Sequence, residues 1–391
     1  MEITQVATLA NDVTKELLGD SAIVAEDLSN VVDIGKAIFD NVSYDKYVTT
    51  LVDHVGRMAL VDRKYTGGMA SLYRDSWEYG AVMEKLTPNT LPDAIENDSW
   101  KLVNGTSYDP NVFTQPDVSA KFFNKRTTLE VDLSIADRQA KSAFSSATQL
   151  NAFVSMLFNN IDTTLTVKQE ALAQRTINNL IAQTLYNEFP GGVYTGTGVK
   201  AVNLLKLYND AFSGSLTVAN CLYSAEFIRF ASMIIGRYIK RMKKVSQLFN
   251  TGELPRFTPD DKKHLILHSD FTTAANSYLQ SDTFHNEYTR LPGSEDVAYW
   301  QGSGTSFAFT DTSAIHVITE DPADSTQTIE ITASGILGVM FDHDAAGITN
   351  LDKRVTSNYN GKAEFTNYFY KVDCGYFNDL NENAIVFYVA A

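Results

Sequence analysis

Apolar residues recur at helical spacing between positions 150 and 181, where the pattern predicts the longest helix of the chain. The apolar positions of this stripe are Leu150, Phe153, Val154, Leu157, Phe158, Ile161, Leu165, Leu172, Ile177, Leu180 and Ile181. Residues three and four apart share one face of a helix, so these side chains form a single stripe. At ~1.5 Å per residue, a helix over 150–181 is roughly 48 Å long. Threonines at 163, 164 and 166 favour a kink or a break near its middle.

Alternating apolar and polar residues predict two strands, at 77–84 and 129–133, on either side of a long polar stretch. Prolines at 88, 92, 110 and 116 interrupt the stretch between them. Two strands joined by such a segment indicate a long hairpin-like excursion. Loops of this length are uncommon and usually functional.

Helical and strand patterns mix in the rest of the chain, which favours the α+β class. The first forty residues predict short helices over 4–18 and 26–39, and 44–61 predicts a helix that runs into a strand. After the glycines at 191 and 192, the patterns predict helices over 202–212, 225–249 and 272–279 and a strand over 264–268. The last ninety residues predict strands at 328–332, 336–341, 365–376 and 384–389.

Composition and charge exclude several classes of protein. The 391 residues are 44% hydrophobic and 20% charged, as in an ordinary folded protein. With 47 acidic and 32 basic side chains, the net charge of −15 argues against tight nucleic-acid binding over the whole surface. Cys221 and Cys374 form no disulfide framework, which favours a reducing compartment. We expect no signal peptide and no membrane span.

One segment reverses the acidic character of the chain. Residues 227–250 contain no acid, and five bases cluster near their end: Arg237, Lys240, Arg241, Lys243 and Lys244. The cluster is either a contact with another subunit, a scaffold or DNA, or a solvated helix face, and the sequence leaves both interpretations open.

Candidate catalytic and metal-binding motifs fail on spacing. His264 and His268 fall on a predicted strand, where residues four apart lie ~13 Å from each other and cannot bind one ion. Asp342-His343-Asp344 is better explained as a solvated turn than as a metal site or a His–Asp catalytic pair. The glycine-rich segment 191–200 lacks the Gly-Lys-Ser/Thr of a phosphate-binding loop. We therefore predict no catalytic, cofactor or metal site, and no enzyme.

Several stretches resemble the Hong Kong 97 fold of tailed-phage major capsid proteins, most closely those of short-tailed phages. They are 47–61 (YVTTLVDHVGRMALV), 142–160, 364–372 (EFTNYFYKV) and 383–388 (NAIVFY). The order of predicted elements also matches that fold. The resemblance implies an N-terminal arm at 1–43, an extended loop at 64–133, an axial domain at 196–349, and a peripheral domain from 44–63, 134–195 (with the spine helix) and 350–391.

The same resemblance implies a virion protein that forms pentamers and hexamers in an icosahedral shell around double-stranded DNA. Assembly would take place in the host bacterial cytoplasm with scaffold, portal and packaged DNA as partners, and without a membrane or a cofactor. The acidic balance would let enclosed DNA slide rather than adhere. The alternatives are an encapsulin-like compartment shell, another virion structural protein, or, least favoured, an enzyme with an unrecognised carboxylate pair.

Some members of that family form a Lys–Asn cross-link or lose an N-terminal scaffold domain. Since the chain begins at Met1, we expect no such cleavage. Lys85 falls in the extended loop, but no partner for it is evident in the sequence, so we predict no cross-link. Because the arm and the loop are thin in apolar residues, we expect 1–43 and 66–130 to be partly disordered in the isolated subunit.

Overall fold

The computed structural model describes residues 11–16, 69–74, 83–92, 94, 96, 101–108, 111, 113–136, 147–280, 293–300, 313–322, 324 and 326–391. Within them, helices and strands are both abundant and are mixed along the chain. The α+β class predicted from the sequence is confirmed. The predicted elements at 26–39, at 44–61, over most of 4–18 and over all but the end of 77–84 lie outside the described residues.

Helix α1 (Ala147–Glu188) is the longest element, with 42 residues and a length of ~63 Å. No glycine or proline occurs between positions 117 and 189, so nothing in the sequence ends the helix early. It extends the predicted helix at both ends and is unbroken through its threonine-rich middle. Leu172, Ile177 and Leu180 on its C-terminal half are buried in the main core.

A three-stranded antiparallel sheet lies against α1 in the order β10-β11-β3. Its strands are β3 (Arg126–Ala136), β10 (Ala346–Asn360) and β11 (Phe365–Asn378). Alternate residues of β11, among them Tyr368, Tyr370 and Val372, are buried in the same core as α1. This period-two burial is what the alternating sequence of the strand predicts.

A five-stranded mixed sheet follows the order β4-β12-β9-β5-β6. The strands are β4 (Ala201–Asn203), β5 (Lys263–His268), β6 (Glu295–Val297), β9 (Ile336–Asp342) and β12 (Ala384–Tyr388). Both faces are covered. In β12, Val386 and Tyr388 join the core with α1, whereas Ile385 and Phe387 join a second core. The second core includes residues of helices α2 (Leu204–Phe212), α3 (Ala225–Met242) and α4 (Ser269–Gln280).

Two antiparallel two-stranded sheets complete the described strands. One pairs β1 (Met83–Pro88) with β2 (Val118–Phe123) and is called the ribbon below. The other pairs β7 (Ile315–Glu320) with β8 (Thr328–Ala333).

Most predicted elements in the second half of the chain are confirmed, including strands β5, β8, β9, β11 and β12 and helix α4. Three predictions are wrong in detail. The strand at 129–133 belongs to β3 and pairs with β11, not with a strand at the start of the excursion; β1, which begins at Met83, pairs with β2. Segment 202–212 begins as strand β4 before α2, and α3 ends at Met242 rather than at 249. Strands β2, β6, β7 and β10 were not predicted.

Candidate interaction surface

The ribbon presents its apolar face to solvent and its polar face to the rest of the protein. Residues on the solvent side are Glu84, Leu86 and Pro88 of β1 and, directly opposite them, Phe122, Ala120 and Val118 of β2. We call these six residues the outer face. Leu86 is 66% exposed and Phe122 is 62% exposed. A strand pair normally buries its apolar face, so this inversion makes the outer face a candidate contact surface.

Ionic contacts fix the inner face of the ribbon to the segment between β11 and β12. Lys85 Nζ lies 2.8 Å from Asp379 Oδ2 and 2.7 Å from Glu382 Oε1. Lys121 Nζ, on the neighbouring strand, lies 2.8 Å from Asp379 Oδ1. One buried carboxylate therefore bridges the two strands of the ribbon.

Burial and charge act in opposite directions on these groups. Burial alone would raise the pKa of Asp379, but the adjacent charges of Lys85 and Lys121 and their hydrogen bonds lower it below its usual value. Burial would lower the pKa of Lys85, yet Asp379 and Glu382 raise it overall. Burial raises the pKa of Glu382 more than its basic neighbours lower it. The Lys85–Asp379 pair is therefore ionised at neutral pH.

Arg256 makes a second attachment of the ribbon. Its Nη1 donates to the backbone oxygen of Pro88 at 2.9 Å, and its Nε lies 3.7 Å from Glu382 Oε1. The Phe123 and Phe377 rings add an apolar contact with centroids 5.3 Å apart. A cavity of about 530 Å³ lies beneath β1, with Arg256 and Phe377 in its wall. The ribbon is thus held largely by charged groups at one edge of a cavity.

The segment beyond the ribbon extends the exposed apolar surface. Asn89 and Asp117 join the two ends of this segment through two hydrogen bonds. The Asn89 backbone N–H donates to the Asp117 carbonyl oxygen at 3.0 Å, and the Asn89 side-chain amide donates to Asp117 Oδ1 at 2.8 Å. Large apolar side chains in its described part are more than half exposed: Leu91, Leu102, Val103, Tyr108 and Phe113. We call residues 89–117 the loop. Large apolar side chains exposed in one segment are typical of a protein–protein contact.

The five predicted basic residues lie together at one end of α3, and all five are exposed. Arg237, Lys240 and Arg241 belong to the helix, while Lys243 and Lys244 follow its last residue. Lys243 pairs with Asp260, and the Arg241 guanidinium lies 5.3 Å from the centre of the Tyr238 ring. Basic groups at a helix C-terminus stabilise the helix dipole, so part of the cluster has a local role.

His264 and His343 form a pair that sequence spacing did not reveal. His264 Nε2 lies 3.0 Å from His343 Nδ1, whereas His268 belongs to the buried end of β5. The prediction of a solvated turn is wrong for Asp342, which is 5% exposed and accepts a hydrogen bond from Thr258 Oγ1 at 2.6 Å. Burial and nearby Arg74 lower the pKa of His264 to about 4. The described residues contain no cluster of three or more potential metal ligands.

The residues that sequence reasoning missed are Lys121, Arg256, Asp379 and Glu382. Only Lys121 has a local sequence signal, the alternation VSAKFF in 118–123. On a strand, this pattern places the side chains of Lys121 and Phe122 on opposite faces. None of the helices in the described part of the chain could span a membrane.

Comparison with known protein families assigns the chain to one of them. Residues 10–388 match the model of the Phi29-like phage major capsid protein family. The match covers nearly the whole chain, so the chain belongs to this family, and the resemblance found in its sequence is confirmed. The family is one of structural capsid proteins of phage virions and not a class of enzymes.

Individual relatives are distant. The major capsid protein of Bacillus phage GA-1 is 22% identical over 182 residues, which cover 45% of this chain and 36% of that protein. The capsid structure of Staphylococcus phage Andhra matches with 10% identity and a TM-score of 0.48, over 82% of this chain and 83% of that one. The capsid structure of cyanophage P-SCSP1u matches with 14% identity and a TM-score of 0.41, over 82% and 86% of the two chains.

Proposed function

We propose that this chain is the shell-forming subunit of a phage capsid with the Hong Kong 97 fold. Copies would form pentamers and hexamers that close into an icosahedral shell around double-stranded DNA. Family membership supports the capsid role. The structural observation that carries the proposal is the outer face of the ribbon, which exposes Leu86, Val118 and Phe122 on a strand pair attached to the body by ionic contacts.

Burial of the outer face by a second copy is the physical basis of the proposed assembly. Each buried square ångström of apolar surface contributes roughly 25 cal/mol, so the three large side chains alone offer a few kcal/mol per contact. Repeated over every subunit of a shell, such contacts would add up to a large stabilisation of the assembled state. The ion cluster on the inner face would hold the ribbon in position for this contact.

The proposal includes the partners and domains that the sequence suggested. Scaffold, portal and weakly held packaged DNA would be the partners, and Arg237, Lys240, Arg241, Lys243 and Lys244 would contact one of them or a second subunit. The proposed division is an arm at 1–43, an extended loop at 64–133, an axial domain at 196–349 and a peripheral domain from 44–63, 134–195 and 350–391. The ribbon would form part of the extended loop.

The test is electron microscopy of the purified chain and of two variants. Leu86→Lys with Phe122→Lys places two charges on the outer face, and we expect it to abolish closed particles while the subunit keeps its circular dichroism spectrum. Ile318→Lys is the matched control, because Ile318 is 69% exposed on a strand of the other two-stranded sheet. The control should form particles.

Each alternative has a distinct outcome. Closed particles that enclose an enzyme instead of nucleic acid would favour a compartment shell. Rings or tubes without closed shells would favour another virion protein. Particles that form equally well in the outer-face variant would contradict the role given to the ribbon.

A further inference from the structure

The solvent face of α3 is entirely basic near its C-terminal end. Every exposed residue from 237 to 244 is a lysine or an arginine. Four of them lie on one side of the helix because they are spaced three and four residues apart. We call these four the basic row: Arg237, Lys240, Arg241 and Lys244. Lys244 follows the last helical residue, but its backbone N–H donates to the Arg241 carbonyl oxygen at 3.0 Å, so the turn continues to it.

The charges of the basic row are not neutralised by the described part of the chain. Lys243, on the flank of the helix, pairs with Asp260. No acidic side chain among the described residues pairs with a member of the row. Residues 227–250 carry a charge of +6, so the rest of the chain carries −21, since the whole chain carries −15. Positive charge is therefore concentrated on one side of one helix, while the remainder of the chain repels an anionic polymer.

The composition of the basic row suits phosphates better than a protein partner. Protein–protein interface cores are rich in aromatic residues and depleted in lysine. The row contains no apolar side chain, and the exposed Val245 and Leu248 follow it without interrupting it. A DNA duplex presents one phosphate charge per ~1.7 Å of its axis, so it offers about six along a row ~10 Å long. Each of the four bases can therefore contact a phosphate.

We propose that the basic row binds the phosphate backbone of double-stranded DNA and that the face of α3 carrying it lines the inside of the shell. This inference rests on the proposed function, which supplies the shell and the DNA. It goes beyond that function because it selects one partner for the cluster and one orientation for the subunit. Four phosphate contacts give weak, salt-sensitive binding that does not depend on sequence. The acidic remainder of the chain restricts adhesion to this row.

The salt dependence of DNA binding counts the phosphate contacts. The purified full-length chain is titrated into a fluorescently labelled DNA duplex between about 50 and 200 mM salt, and anisotropy reports binding. The row variant carries Arg237→Gln, Lys240→Gln, Arg241→Gln and Lys244→Gln. Each lost contact removes about 0.9 from the slope of log K against log salt concentration, so the slope should become shallower by about 3–4. Affinity at the lowest salt concentration should fall by about tenfold or more.

A control variant removes the same charge from exposed lysines elsewhere. It carries Lys125→Gln, Lys206→Gln, Lys262→Gln and Lys362→Gln. We expect it to keep the slope of the wild-type chain. A slope and an affinity unchanged in the row variant would make the row a solvated helix face, and equal losses in the two variants would show an effect of net charge alone. Either result overturns the proposal.

Two smaller changes guard against a row variant that fails to fold. Lys240→Gln with Lys244→Gln should reduce the slope by about half as much as the row variant, because it removes two contacts of the four. Lys240→Arg with Lys244→Arg should bind as the wild-type chain does, because the charges remain. Duplexes of unrelated sequence should bind with equal affinity, and a strong preference for one of them would contradict a backbone contact.

Lysine labelling tests the proposed orientation. An amine-reactive reagent should modify Lys240 and Lys244 less in DNA-filled particles than in particles without DNA. Lys362, in the exposed turn between β10 and β11, should be modified equally in both. Equal labelling of the row lysines in the two kinds of particle would show that this face does not meet the DNA.

Other results separate this inference from the proposed function. If the wild-type chain forms shells and the row variant binds DNA as tightly as it does, the inference fails while the proposed function stands. If the row variant binds DNA normally but forms no shells, the row is a protein contact instead. If the wild-type chain forms no particles, the proposed function fails, whereas the binding measurement still decides whether the row contacts phosphates.

Discussion

Lys85 Nζ lies 2.8 Å from Asp379 Oδ2, although 294 residues separate the two along the chain. The Asp379 side chain is 2% exposed, so its charge depends on Lys85 and Lys121 for compensation. This contact joins the ribbon to the sheets of the body. It determines which face of the ribbon is turned outwards, because Lys85 and Leu86 point to opposite sides of one strand.

Replacing Lys85 with Met should destabilise the chain by roughly 2–3 kcal/mol, because a buried carboxylate loses one of its two charged partners. Urea unfolding of the purified variant measures the change. Lys371→Met is the matched control, since the Lys371–Glu130 pair is partly solvent-exposed and should contribute under about 1 kcal/mol. Equal effects of the two changes would contradict a structural role for the buried cluster.

Stability should fall as the pH drops through the range in which His264 titrates. Burial, Arg74 and His343 lower the pKa of His264 from 6.5 to about 4, so the folded state binds the proton less well than the unfolded state. The contribution to stability is complete above pH 6.5 and is lost progressively as the pH falls towards 4. Thermal unfolding between pH 7.5 and 4.5 measures it.

The matched pair of histidine variants isolates this effect. His264→Gln should flatten the dependence on pH, and His316→Gln, on strand β7, should leave it in place. An unchanged slope in His264→Gln would show that other groups cause the loss of stability.

Gly335 should tolerate no side chain. Its φ is +74°, and a Cβ there would lie 2.1 Å from the backbone oxygen of Val389. Gly335→Ala should therefore cost at least about 1–3 kcal/mol in unfolding free energy. Gly361→Ala is the control because its Cβ would meet only the Tyr359 ring at 3.6 Å. If Gly335→Ala is as stable as the control, the turn between β8 and β9 does not require glycine at position 335.

Amide hydrogen exchange over 83–88 and 118–123 should differ between the isolated subunit and the assembled particle. The ribbon has only two strands, and a two-stranded sheet is marginally stable alone. We expect its amides to exchange faster in the subunit and to become protected in the particle, whereas β12, which is buried along its whole length, is protected in both. Equal protection of the ribbon in both states would show that its order does not depend on assembly.

Local patterns predicted the elements whose burial is regular. The stripe over 150–181 predicted α1, and the alternation around Tyr368 and Tyr370 predicted β11. Strand β10 was missed because its outer two thirds are polar and largely exposed, and its structure depends on pairing with β11. Such stability comes from residues distant in sequence, which a local pattern does not contain.

The candidate surface was only partly predictable from sequence. The long excursion and the basic cluster were evident, but β2 was not identified as the partner of β1. Alternation in VSAKFF indicates a strand without saying which face is buried, and the usual expectation places Phe122 inwards. Only the contacts of Lys85 and Lys121 with Asp379 show that the polar face is the inner one.

Hydroxyl-radical footprinting of Phe122 tests the central claim most directly, because it reports the exposure of one side chain on the outer face. Phe122 is 62% exposed in the subunit, so it should be oxidised readily there. In purified particles we predict strong protection of Phe122, while Ile318 on the other two-stranded sheet stays reactive. Equal oxidation of Phe122 in subunits and in particles would contradict burial of the outer face by a second copy.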